Sequence, residues 1–311
     1  MRTDISLDFS PPVRQALDRN KPVVALESSV FAQGLPIPAN GDAARRMTAA
    51  IERVGATPAI AAISRGRPTL GLDGDDLKRF LCRDGVRKVS SRDLGAAVAQ
   101  RADGATTVAA TLVLARLANI QVFATGGIGG VHRRSRQEVE RNPQLRDESA
   151  DLLELARSRV VVVCAGAKSI LDLASTWERL ETLAVPVIGY RTNELPGFFT
   201  AETGIALSVR CDSAAEIAEI ARKHWTLNEA SVLVVQPPPA EHAMRGAKVE
   251  HAIAEAVAEA ARKGIEGPAT TPFLLEAVSR LTNRGSLDAN LALLENNALL
   301  AADIARSLAT Q

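Results

Sequence analysis

Short β-branched, apolar runs alternate along the chain with longer Ala- and Leu-rich segments whose apolar positions recur at helical spacing. The runs predict strands at Pro22–Leu26, Ala59–Ser64, Val86–Val89, Ile120–Ala124, Val160–Cys164, Val187–Gly189, Ala206–Val209 and Ser231–Val235. Amphipathic helices are predicted over Asp42–Val54, Asp93–Arg101, Thr106–Leu117, Asp147–Arg157, Ile170–Thr182 and Ala214–His224. Several runs, Val160–Cys164 above all, are apolar throughout, as strands buried on both faces require. Alternating βα units predict an α/β fold, a three-layer α/β/α sandwich with a largely parallel central sheet. Pro237-Pro238-Pro239 ends the last strand, and Glu250–Lys263, Pro272–Leu281 and Ser286–Leu308 predict a helical C-terminal part. The sequence shows no internal repeat, low-complexity tract or long linker. The expectation is one domain over residues 1–311, with 1–20 as an N-terminal extension and 240–311 as its helical C-terminal part.

Composition narrows the function. A chain of 311 residues, 46% hydrophobic, can bury a large core. Its formal net charge of +1 argues against wholesale nucleic-acid binding, while leaving room for a local anion site. Cys82, Cys164 and Cys211 are widely spaced and form no CxxC pair, so neither a zinc site nor a disulfide framework is supported. Cys164, inside an apolar run, reads as a buried, inert thiol. The polar stretch 1–12 has no signal-peptide apolar region, and no stretch is long and apolar enough for a bilayer. A cytoplasmic enzyme without a membrane partner is expected.

Four segments offer chemistry. In Val160–Ile170 a buried strand runs into the small-residue turn Ala165-Gly166-Ala167 and presents Lys168 where a helix is predicted to begin. Ligands bind at the carboxyl ends of strands in open α/β sheets. A helix N-terminus and partial desolvation both favour the free amine, which is what a Schiff-base nucleophile needs. A structural lysine that snorkels or pairs is the alternative. In Thr125–Arg133, four glycines let backbone N–H groups converge on an anion, with Thr125, His132 and Arg133 as further donors; a tight structural turn is the alternative. Asp147-Glu148-Ser149-Ala150-Asp151 is either an ordinary acidic first helical turn or a place for a hard cation. Glu27, ending a buried strand, suits a general acid, and Lys88 suits a phosphate as a point charge; each alone is more often structural.

Together these segments resemble the pseudouridine-5′-phosphate glycosidase family, also called indigoidine synthase A-like. The resemblance runs from about Pro22 to Ala309. It is carried by Ala25–Ser28, Gly104–Thr111, Phe123–Arg133, Cys164–Leu171, Pro186–Tyr190, Thr271–Leu275 and Asn296–Ala298. It implies reversible conversion of pseudouridine 5′-phosphate and water to uracil and ribose 5-phosphate, a carbon–oxygen lyase activity in a Mn²⁺-dependent homotrimer. It implies Lys168 as nucleophile, Glu27 as proton donor and Asp147 as the metal-linked carboxylate. By the same likeness Lys88, Val108, Ser149, Ala150 and Asp151 match substrate contacts, Thr125 and His132 match phosphate binding, and Asn290 matches a base contact.

The sequence also departs from the family pattern. Ala32-Gln33-Gly34 stands where Thr-His-Gly is common, Ser91 where a second arginine is common, and Glu148 where an apolar residue is; Gly197 and Pro268 differ too. Gln33 and Ser91 bear on base and phosphate contacts. Two alternatives follow: a relative acting on another C- or N-glycosyl phosphate, and a non-catalytic phosphosugar-binding protein. A C-glycosidic bond has no basic leaving atom, so two carboxylates alone do not cleave it, and an amine serving as electron sink does.

Overall fold

The computed structural model describes residues 6–133, 142, 147–265, 270–282 and 285–309. Among these, an eleven-stranded mixed sheet forms the centre of an α/β fold. Its strands are β1 (Asp8–Phe9), β2 (Val23–Glu27), β3 (Thr57–Ser64), β4 (Arg67–Leu70), β5 (Arg87–Val89), β6 (Gly104–Thr106), β7 (Val122–Ala124), β9 (Val161–Cys164), β11 (Val187–Tyr190), β12 (Arg210–Cys211) and β13 (Val232–Val235). The remaining two, β8 (Val131–His132) and β10 (Leu171–Asp172), make a separate antiparallel ribbon. The main path runs β1-β4-β3-β2-β7-β9-β13-β11-β12, and from β3 through β12 every pair on it is parallel. Strands β2, β9 and β13 are buried at every position, so both of their faces are covered.

The register of β3 sets up the site. Its pairing with β2 ends at Glu27 opposite Ala61, and at Ala62 the antiparallel strand β6 takes over. Strand β5 joins β6 in parallel, with Lys88 opposite Ala105. The exchange of neighbours therefore brings the β5–β6 pair beside the carboxyl end of β2. Three buried hydroxyls fasten this junction: Ser28 and Thr106 both donate to the Ala61 carbonyl, at 2.6 and 2.8 Å, and Thr111 donates to Thr106 at 3.0 Å. The long C-terminal helix Gly285–Ala309 packs over β2, β7 and β9, between the helices Ala39–Arg53 and Ala214–His224. Its alanine- and leucine-rich buried face lets it lie close to the sheet.

Most predicted elements occur within a few residues of their expected limits, and four expectations differ in an instructive way. Ala206–Val209 is not a sheet strand. Within it only Leu207 is half-buried, and its N–H goes to the Asn193 carbonyl while Leu195 N–H goes to the Ile205 carbonyl; the segment reaches the sheet only through the Val209 carbonyl, which accepts from Gly189, and the sheet strand is Arg210–Cys211. The helix expected from Asp147 starts at Ala150, capped by Ser149, and the helix expected from Ile170 starts at Leu173, capped by Asp172. The residues before Pro22, expected as an extension, contribute edge strand β1 and a helix, Pro11–Asp18, that buries Val13. No helix among the described residues is long and apolar enough to cross a membrane.

Candidate active site

Adjacent parallel strands β2, β7 and β9 end side by side, and their carboxyl ends deliver Glu27, Thr125 and the turn that carries Lys168. Glu27 is 3% exposed. Its carboxylate accepts hydrogen bonds from the Ser29 and Thr125 hydroxyls, one on each oxygen. The Thr125 N–H goes to the Val163 carbonyl at 3.0 Å. Both donors of Thr125, the hydroxyl expected to meet a phosphate included, have partners within the protein, the hydroxyl on the Glu27 carboxylate.

After Cys164 the chain leaves the sheet through Gly166, at a φ of +89°, where a Cβ would lie 2.4 Å from the Pro196 carbonyl oxygen. Only glycine fits there. The released segment pairs with the glycine-rich loop: Ile128 N–H donates to the Gly166 carbonyl and Lys168 N–H to the Ile128 carbonyl, each at 3.1 Å. Lys168 is partly buried. It precedes β10 rather than opening a helix, because Leu171–Asp172 pair with β8 before the helix begins. Lys88, on β5, lies near enough for the charges of Lys168, Glu27 and Asp151 to reach it. It keeps solvent contact, yet the surrounding protein desolvates it. Desolvation first, and then the Lys168 charge, hold its ammonium below the ordinary lysine range. Beneath the turn, burial pushes the Cys164 thiol up to about 12, so the inert reading of that cysteine stands.

The glycine-rich loop is mainly a packing device. The N–H groups of Ile128, Gly129, Val131 and His132 donate to Gly166, Asp151, Thr176 and Asp147. A Cβ at Gly127 would lie 2.6 Å from the Phe198 ring, and one at Gly130 would lie 2.3 Å from the Thr176 hydroxyl. The loop needs glycines because neighbours crowd it, and of its four glycine N–H groups that of Gly129 is engaged, on Asp151. Arg133, expected as a phosphate donor, spends its guanidinium on Glu250 and on the carbonyls of Ser169 and Leu171. His132, on β8, is partly buried.

The acidic segment divides into different roles. Asp151 is buried, and its carboxylate accepts from the N–H groups of Ala109 and Gly129, both at 2.8 Å. It ties the loop to the first turn of helix Val108–Leu117, where Val108 is buried. Glu148 pairs with Arg179 at 2.8 Å. Ser149 caps the helix that begins at Ala150. Asp147 is exposed, and its carbonyl accepts from His132 at 2.9 Å. No group of three His, Cys, Asp or Glu side chains able to hold a metal occurs among the described residues. With Glu148 and Asp151 engaged, the segment fits a hard divalent ion only as a water-rich site on the Asp147 carboxylate.

Comparison with known proteins places this architecture. The family described as indigoidine synthase A like protein matches residues 12–307. The chain belongs to the indigoidine synthase A-like family. A pseudouridine-5′-phosphate glycosidase of Gemmatimonas aurantiaca is 58% identical over 297 residues, covering 95% of this chain and 94% of that relative. One from Staphylococcus aureus is 47% identical over 300 residues, covering 96% and 95%. Among solved structures, the prealnumycin C-glycosynthase AlnA in complex with ribulose 5-phosphate superposes with a TM-score of 0.88 at 38% identity, covering 99% of this chain and 98% of that one. An indigoidine synthase A-like protein of Thermotoga maritima matches with the same TM-score at 34% identity and the same coverage.

Within this indigoidine synthase A-like fold, the C-terminal helix completes the site. Asn290 is buried, with its Oδ1 unpaired and 3.5 Å from where a Gly126 Cβ would stand. Asn297 donates to the Thr125 carbonyl at 2.8 Å and accepts from Gln236 at 2.9 Å, strapping the helix to the strand end behind Glu27. Ser29 directly follows Ala25–Ser28 and Asn297 lies within Asn296–Ala298, but their partners are 2 and 172 residues away in sequence, and only the second distance is a tertiary matter. Gln33 lies in a single π-helical turn, Val30–Gly34, soon after Glu27; its Oε1 is buried and unpaired. Ser91 opens a short 3₁₀ turn after β5. Pro268 lies outside the described residues. A surface depression lined by Lys21, Pro22, Val54 and Gly55 lies at the opposite, amino-terminal ends of β2 and β3, and shares no residue with this site.

Proposed function

We propose that this protein is a pseudouridine-5′-phosphate glycosidase that converts pseudouridine 5′-phosphate and water to uracil and ribose 5-phosphate through an imine on Lys168. One observation carries the reading: strands β2 and β9, on either side of β7, end in a buried carboxylate, Glu27, and in the turn of Lys168, and a second lysine, Lys88, lies within electrostatic reach of both. The close, full-length likeness to glycosidases of that name supports it.

In the proposed mechanism Glu27, aimed by Thr125 and Ser29, donates a proton to the ribose ring oxygen as the ring opens. The Lys168 amine adds to C1′. Protonation of uracil C5 then lets the amine electron pair expel uracil as the C–C bond breaks, leaving the imine of ribose 5-phosphate. Water hydrolyses that imine and returns the free amine. Lys88 and His132 serve as phosphate contacts, Asn290 as the base contact, and the Val108, Ser149, Ala150 and Asp151 backbone as the wall of the pocket. Mn²⁺ is the proposed metal, with Asp147 as its protein ligand; it would supply electrostatic ordering of water and uracil oxygens. We also propose one domain, a homotrimer and a cytoplasmic setting, on the family likeness.

Borohydride trapping tests the reading. Wild-type protein with ribose 5-phosphate gains a reduced adduct that peptide mass spectrometry maps to Lys168, and Lys168→Ala gains none and does not turn over. Active enzyme without that adduct sinks the imine. Comparing turnover of pseudouridine 5′-phosphate, uridine 5′-phosphate and free pseudouridine assigns the substrate.

A further inference from the structure

We infer that Arg133 is a positioning residue for Lys168 and that Glu250 locks it in place. The inference rests on Lys168 as the nucleophile. The Arg133 guanidinium donates Nε to the Leu171 carbonyl at 2.9 Å and Nη2 to the Ser169 carbonyl at 3.1 Å. Both carbonyls belong to the turn that follows Lys168, and that turn is closed on its own side by Leu171 N–H to the Lys168 carbonyl at 2.9 Å. The other edge of the guanidinium forks onto Glu250, at 2.8 and 2.9 Å. Glu250 comes from helix Gly246–Arg262, beyond the last strand. The helical C-terminal part thereby reaches back and holds the lysine turn through one planar cation.

The same clamp fixes a second group. His132, next to Arg133, lies opposite Leu171 in the β8–β10 ribbon. The ribbon thus carries His132 on one strand and extends from the Lys168 turn on the other. Holding it sets the distance between a phosphate contact and the amine that must reach C1′. A misplacement of about 1 Å can cost roughly 100-fold in rate. Arginine is required because its donors lie in one rigid plane with edges facing two directions; lysine offers a single point of attachment. The donors are committed within the protein, which leaves the guanidinium poorly placed to bind phosphate itself.

Arg133→Lys and Glu250→Gln test the clamp, read by the ribose 5-phosphate dissociation constant, by the rate of borohydride trapping on Lys168, and by the KM against kcat split. Arg133→Lys is expected to bind ribose 5-phosphate within about threefold of wild type yet to trap at least about tenfold more slowly. Glu250→Gln should slow trapping in the same direction by a smaller factor, and the double variant should be no slower than Arg133→Lys alone. A fold that is merely weakened would lower the active fraction and the melting temperature without separating binding from trapping. Wild-type trapping rates in Arg133→Lys overturn the clamp, as does a raised KM with unchanged kcat, which would put Arg133 on the phosphate. Should Arg133→Lys not fold, the half-exposed Glu250→Gln decides alone, and a wild-type trapping rate there overturns the proposal. Active wild-type protein with no adduct on Lys168 removes the imine reading and this inference together.

Discussion

The Thr125 hydroxyl donates to the Glu27 carboxylate across 98 residues of sequence, from the end of β7 to the end of β2. A threonine that looks like part of an anion loop is therefore an orienting group for the proposed acid. Thr125→Val keeps the shape and removes the donor. A hydrogen bond to a charged group contributes about 1.5–3 kcal/mol, so kcat should fall roughly 10- to 100-fold with little change in KM, and Thr125→Ser should restore most of it. Steady-state kinetics check this; a rise in KM at constant kcat would return Thr125 to the phosphate.

Asn297 joins the C-terminal helix to the Thr125 carbonyl and to Gln236, and it is fully buried. Asn297→Ala leaves both partners without a bond and without water. Each orphaned group costs about 1–3 kcal/mol. With two such groups, urea unfolding should show a loss of about 2–6 kcal/mol with unchanged slope, and a loss below about 0.5 kcal/mol would mean the strap is not structural.

Gly127 sits where a Cβ would meet the Phe198 ring at 2.6 Å and the Gly166 carbonyl at 2.9 Å. Gly127→Ala should destabilise by about 1–3 kcal/mol through overpacking and displace the turn that leads to Lys168. Phe198→Leu should recover part of the loss because it frees the ring side of the contact but not the backbone side. Thermal melts of the single and double variants decide, and strict additivity would refute the contact.

Cysteine chemistry gives an independent probe. Cys82 is exposed, while Cys164 and Cys211 are buried. A thiol reagent should label Cys82 alone in native protein and all three in denaturant. The Cys164 thiol is pushed by burial from its ordinary 9.0 up to about 12. Below pH 9 it is protonated in both folded and unfolded chains, and its contribution is fully present. Between pH 9 and 12 only the unfolded chain ionises, so stability falls as pH rises. Urea midpoints taken from pH 8 to 10.5 should fall less steeply in Cys164→Ala than in wild type; equal slopes would rule out this thiol as a source of the alkaline loss.

Much of the fold is local in origin and could be read before any coordinates. The apolar run Val160–Cys164 became β9, and Ala214–His224 became a helix with the expected limits, because period and end signals are properties of neighbouring residues. The departures arose where a distant partner outbid local preference. Leu171 and Asp172 are extended because β8 pairs with them; β1 is only two residues long, and β4 (Arg67-Pro68-Thr69-Leu70) and β6 (Gly104-Ala105-Thr106) carry no apolar β-branched run, so all three depend on the strands they join.

The candidate site divides along the same line. Residue chemistry and position along the chain marked Glu27, Lys88 and Lys168 as groups worth weighing, since a carboxylate or an amine at a strand end carries its chemistry in its own side chain; Asp147 as a metal-linked carboxylate and Asn290 as a base contact came from the family resemblance alone. What each one does with its hydrogen bonds was settled only by packing. Thr125 turned to Glu27, Asp151 to two backbone N–H groups, and Arg133 to Glu250 and the lysine turn, because partners 98, 42, 22 and 117 residues away were brought within reach by the folded chain. A side chain's reactivity belongs to its covalent structure, whereas its role depends on which donors and acceptors the fold leaves unpaired.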